Sequence, residues 1–121
     1  MAKAPTTEAV LQHHGQALMS RNLDELMKDY AEDSVFFTPN ATVKGLKGIR
    51  SVFEGLLGTF PPEVSANLKL TKMEINGEYA YEIWTMLPVV KLGSDTFHVH
   101  NGKIMLQSVI MQFLIVGEAF P

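Results

Sequence analysis

Cysteine is absent from all 121 residues, which excludes a disulfide framework and any thiolate metal site. No apolar run approaches the ~18 residues that a membrane span needs. The opening "MAKAPTTEAV" also lacks the apolar core of a secretory leader. Basic residues are few, 10 against 13 acidic ones, and never form a run, so the net charge of −3 argues against nucleic acid and anionic membranes as partners. A cytoplasmic protein is the expectation. What is present is apolar: 46% of the chain is hydrophobic, at a length suited to one domain spanning residues 1–121. That is enough to close a core and still line a pocket or cover a subunit interface.

The first half reads as helical. Thr6 or Thr7 caps a helix, and Val10, Leu11, His14, Ala17 and Leu18 fall on one stripe at helical spacing. "NLDE" opens a short second helix with Asn22 as cap, Glu25 at the capping-box position, and an apolar face of Leu23, Leu26, Met27 and Tyr30. "SVFFTP" is β-rich and runs into a Pro39-Asn40 turn, and Asp33, after "YAE", is placed as a cap to the start of the strand. A third helix is predicted over Gly45 to Leu57, stopped by Gly58.

The second half reads as strands: Val64 to Ile75, a turn at Asn76-Gly77, then Tyr79 to Val90, with Pro88 marking an edge or bulge. Gly93-Ser94 is read as another turn. Thr96 to His100 and Lys103 to Val116 then form a hairpin around Asn101-Gly102. A regular two-residue loop there pairs His100 with Lys103, Phe97 with Leu106 and Asp95 with Ser108. Asp95, Phe97, Val99, Ile104, Leu106, Ser108 and Ile110 then share one face. His98 and His100 take the other face, together with Thr96, Lys103, Met105 and Gln107. Met105, Val109, Met111 and Phe113 are expected to form an apolar outer surface on the last strand, suited to an isologous homodimer. Helices followed by an antiparallel meander make an α+β fold.

In "SDTFHVHNGKI", His98 and His100 at i, i+2 have the spacing of a chelating pair but no third ligand, so no metal and no cofactor is expected. Asp95 is the polar end of an apolar face, where burial would raise its pKa.

"LDELMKDYAEDSVFFTP", "GLKGIRSVF" and "SDTFHVHNGKI" together resemble the SnoaL-like and ketosteroid-isomerase-like members of the nuclear transport factor two-like superfamily. The resemblance runs from about Glu8 to about Phe113. It implies a cone in which a curved antiparallel sheet wraps three N-terminal helices (a cystatin-like α+β barrel), with an apolar pocket between them and dimers formed through the sheet. It also implies that Asp95 matches the isomerase aspartic acid that donates a hydrogen bond to a substrate oxyanion. His14 falls where the isomerase carries its oxyanion-binding tyrosine. An imidazole there is a donor, or a base near neutral pH.

Two departures stand against steroid isomerisation. Thr38 occupies the position of the isomerase's catalytic carboxylate, and threonine shuttles no proton at pH 7. Lys103 to Gly117 also lacks the acid–base aspartate of the cyclases. Tyr30, Phe36, Thr38, Phe53, Trp84 and Phe97 are the expected pocket lining, while the face occupied by Glu82 stays open. Two function classes follow. One is an enzyme acting on an apolar carbonyl compound by proton transfer or enolate stabilisation through His14 and Asp95, as isomerases, cyclases and dehydratases do. The other is a non-catalytic ligand-binding or dimerisation module with the same pocket.

Overall fold

Residues 3–114 are described by a computed structural model of the chain. The N-terminal layer opens with α1 (Thr7–Met19), whose Thr6 Oγ1 accepts from the Ala9 amide at 3.1 Å, and α2 (Leu23–Met27), capped by Asn22 Oδ1 on the Glu25 amide at 3.1 Å. The stripe read from the sequence is the buried one: Val10, Leu11, His14 and Ala17 all face inward. Arg21, in the left-handed region with φ 55°, separates the two helices. Its guanidinium donates to the Leu57 and Phe60 carbonyls and to Ser65 Oγ, closing the C-terminal end of the third helix.

Among the described residues six strands follow the order β2–β1–β6–β5–β4–β3, in a curved and unclosed sheet. They are β1 (Tyr30–Phe37), β2 (Thr42–Lys44), β3 (Leu68–Asn76), β4 (Tyr79–Met86), β5 (Val90–His100) and β6 (Lys103–Phe113). Helix α3 (Leu46–Thr59) and the single turn α4 (Pro62–Ser65) lie between β2 and β3. The architecture is the expected α+β cone, with one parallel pair, β1 against β6, among antiparallel neighbours. Among the described residues no helix is long and apolar enough to cross a membrane.

Several local expectations change. Tyr30 begins β1 instead of ending α2, because the parallel ladder captures it opposite Ile104. Asp33 lies inside that strand, on its exposed side. Gly58 is helical, and α3 runs on to Thr59. Residues 62–65 form a helical turn, so β3 starts at Leu68 and not at Val64. Gly93-Ser94 is no turn either: β5 is continuous through it, and the reversal falls at Leu87-Pro88-Val89, whose Leu87–Pro88 peptide is cis. The part of the last strand expected beyond Leu114 lies outside the described residues.

The final hairpin carries the correction with the largest effect on the interior. Asn101 and Gly102 both have positive φ, 49° and 77°, the signature of a type I′ turn, and His100 pairs with Lys103. Val99 pairs with Ile104, but His98 then pairs with Leu106, so Met105 is an extra residue in β6. Beyond this bulge the register differs by one from the regular hairpin. Phe97 stands opposite Gln107 and Asp95 opposite Val109. Gln107, Val109 and Met111 therefore turn inward, while Ile110 is 66% exposed. The outer apolar surface expected from Met105, Val109, Met111 and Phe113 does not exist in that form.

Candidate functional site

Helices α1 and α3 and the inner face of β3–β6 enclose a cavity of about 670 Å³. Its walls are aromatic and thioether groups, among them Phe36, Phe53, Phe60, Met73 and Met86. Four polar groups gather on its floor: His14 from α1, Glu82 from β4, Asp95 from β5 and Gln107 from β6. No lysine or arginine lines it among the described residues.

Asp95 is 8% exposed, and both its oxygens are engaged: Trp84 Nε1 donates to Oδ1 at 2.7 Å and Gln107 Nε2 to Oδ2 at 2.8 Å. Trp84 reaches it because its cross-strand partner is Gly93; a Cβ there would lie 2.2 Å from the indole. This close approach is what the glycine serves, inside a strand rather than in a turn. Burial lifts the Asp95 carboxyl to about 6, against the opposing pull of the two donors.

Glu82 is the direct cross-strand partner of Asp95. Its carboxyl has no hydrogen-bond partner among the described residues. Burial, and then the charge of Asp95, push it up to about 7. The floor thus holds two carboxyl groups side by side, one clamped and one free, and their titration is shared. Sequence reading left Glu82 unoriented. The signal was nevertheless present: the hairpin joining Asn76 to Tyr79 puts Ala80, Glu82 and Trp84 on one face, and Ala80 is apolar and buried.

His14 is 4% exposed, with ring edges of Tyr30, Phe53 and Phe97 around it at centroid distances of 5.7–6.2 Å. Burial, with a smaller contribution from His13, depresses its pKa to about 4, so the imidazole is neutral across the physiological range. It is not the base near neutral pH that its position first suggested.

Of the expected lining residues, Phe36, Phe53 and Trp84 face the cavity together with His14 and Asp95. Phe97 and Tyr30 lie beneath it, 1% and 3% exposed, as support for the floor. The Tyr30 hydroxyl donates to Gln107 Oε1 and lies 3.4 Å from His14 Nδ1. Thr38 is elsewhere: its hydroxyl exchanges hydrogen bonds with the Ala41 backbone across the β1–β2 turn. Gln107 was missed because only the bulge brings it inward.

His98 and His100 flank the Glu78 carboxylate at 3.0 and 2.8 Å, and His98 stacks on Tyr79. No cluster of three or more His, Asp or Glu suited to a metal ion occurs among the described residues.

A curved, unclosed sheet folded over helices around an apolar cavity is the architecture of the nuclear transport factor two-like class. Residues 10–107 match the SnoaL-like domain, and the chain belongs to that family. Among solved structures it is similar to an NTF2-like protein of unknown function from Cytophaga hutchinsonii, at 19% identity and a TM-score of 0.69, covering 93% of this chain and 95% of that one. A candidate polyketide cyclase from Sinorhizobium meliloti matches at 13% identity and a TM-score of 0.71, covering 84% and 93%. A candidate isomerase of the SnoaL-like family from Agrobacterium tumefaciens matches at 16% identity and a TM-score of 0.66, covering 88% and 97%. At such identities the likeness is one of fold. No curated protein matches the sequence.

Proposed function

We propose that this protein is a small-molecule enzyme that transfers a proton at an apolar, carbonyl-bearing substrate, with Glu82 as general acid–base and Asp95 as its anionic neighbour. The observation that carries the reading is the cross-strand placement of these two carboxyl groups on the floor of an otherwise apolar cavity. Asp95, held by two donors, is the member that ionises first. Burial, reinforced by that charge, holds the free Glu82 carboxyl at about 7, where a group accepts and returns protons with least penalty. A substrate C–H next to a carbonyl is the type of acid that such a carboxylate can deprotonate. The solved relatives described as a candidate cyclase and a candidate isomerase agree with that chemistry. Both oxygens of Asp95 are engaged by donors and burial keeps His14 neutral, so Glu82 takes the proton-carrying role first assigned to them.

The test is isotope exchange. The protein is incubated in D₂O with apolar ketones such as 2-tetralone, and α-proton loss is followed by NMR. Exchange faster than buffer, reduced roughly 100-fold or more by Glu82→Gln, is the expected result. Ligand binding without exchange, indifferent to Glu82→Gln, would assign a binding module instead.

A further inference from the structure

The hydrogen bonds beneath the cavity run in one direction, and that direction decides which face His14 shows to a ligand. The Asp95 carboxylate can only accept, so the Gln107 amide must present its NH₂ group to it. The Gln107 carbonyl then faces Tyr30 and takes the phenolic proton. A phenol has one proton. Its oxygen, 3.4 Å from His14 Nδ1, can therefore meet that nitrogen only as an acceptor. The neutral imidazole accordingly carries its hydrogen on Nδ1, and Nε2 is left as a bare lone pair. Nε2 has no protein partner among the described residues, yet no fully buried side-chain nitrogen or oxygen is left unpaired there. It is open to the cavity that His14 lines. The three aromatic rings around the imidazole offer it no conventional donor.

The donors of the floor are likewise committed. Trp84 Nε1 and the Gln107 amide point at Asp95, and the Tyr30 hydroxyl points at Gln107. Apart from the Glu82 carboxyl, whose proton comes and goes, the fixed polar groups of the floor offer a ligand acceptors, and the lining carries no cation among the described residues to balance a negative charge.

We propose that the cavity takes an uncharged apolar molecule bearing a hydroxyl or phenol group, whose O–H donates to His14 Nε2. Gln107 and Tyr30 are positioning residues that hold the imidazole in the accepting tautomer. The proposal rests on the same cavity as the reading above but not on proton transfer, so an absence of isotope exchange leaves it standing.

The tautomer is read directly by long-range ¹H–¹⁵N NMR of the histidines. The wild-type protein should show His14 protonated on Nδ1. In Asp95→Asn the new amide donates to Gln107 Oε1, the chain reverses, and the hydrogen should move to Nε2. Tyr30→Phe removes the phenol and should leave a mixture of tautomers, a second readout should Asp95→Asn fold poorly. A wild-type His14 protonated on Nε2, or an Asp95→Asn protein with an unchanged tautomer, overturns the relay. In calorimetry, 2-naphthol should bind roughly tenfold or more tightly than 2-methoxynaphthalene, a preference lost in His14→Phe. 2-Naphthoate should bind more weakly than either. Equal binding of naphthol and its methyl ether, or tighter binding of the naphthoate, overturns the ligand class.

Discussion

Glu82 and Asp95 stand directly opposite each other on β4 and β5, two carboxyl groups in a cavity that contains no cation among its described lining residues. Such an arrangement costs stability when both ionise, and it persists because the surrounding sheet holds the strands in register.

The cost can be measured as a pH dependence. Glu82 is raised from 4.5 to about 7 in the fold, so the folded state holds its proton more tightly than the unfolded chain. The penalty is absent below the unfolded value and complete above the folded one. Glu82→Gln should therefore be more stable than wild type at about pH 8, by roughly 2 kcal/mol, and match it near about pH 4. Thermal denaturation at both pH values checks this. A variant less stable at the higher pH would contradict it.

Removing the neighbour should move the free carboxyl. In Asp95→Asn the like charge is gone, so Glu82 should titrate lower than in wild type, though still above an ordinary glutamate, because burial is the larger cause. Carboxyl ¹³C chemical shifts followed against pH report it. A Glu82 curve that stays in place would show that the two groups do not interact.

Gly93→Ala should act through the indole. The added Cβ would lie 2.2 Å from Trp84, so the ring must swing away and release Asp95. A destabilisation of about 1–3 kcal/mol is expected from the overpacking. Trp84 is the only tryptophan of the chain, so its fluorescence maximum should shift in the folded protein. An unshifted spectrum would show that the ring had not moved.

His13 joins α1 to α2 through a second set of contacts. Its Nδ1 is 2.8 Å from the buried Asp29 carboxylate and its Nε2 is 2.8 Å from Glu25. The Glu25 and Asp29 hydrogen bonds raise its pKa, so the stabilisation is full below 6.5 and is lost as pH rises through the folded value. The loss of melting temperature in His13→Ala should accordingly be larger at about pH 6 than at about pH 9. Equal losses at the two values would mean that charge plays no part.

We propose a homodimer through the outer face of the sheet, on different residues from those first expected. Phe37 and Ile110 point outward from β1 and β6, 42% and 66% exposed. Sedimentation at about 50 μM should show a dimer for wild type and a monomer for Ile110→Glu. A monomeric wild type at that concentration would sink the idea.

Local chemistry determined much of this protein in advance. The helical stripe from Val10 to Leu18, the Asn22 cap and the Asn101-Gly102 turn are properties of a few adjacent residues, and each forms as its sequence dictates. His14 and Asp95 were legible as inward groups for the same reason: period and parity place a side chain on a face. What only the tertiary structure decided is register between strands, since a shift of one residue exchanges the two faces of a strand. The extra residue Met105 brought Gln107 and Val109 inward in place of Leu106 and Ser108. Nothing in the local sequence marks that bulge, because its stabilisation comes from the floor it builds. The parallel pairing of β1 with β6 likewise took Tyr30 from α2 and set it under Gln107 and His14, by contacts more than 70 residues apart in the chain.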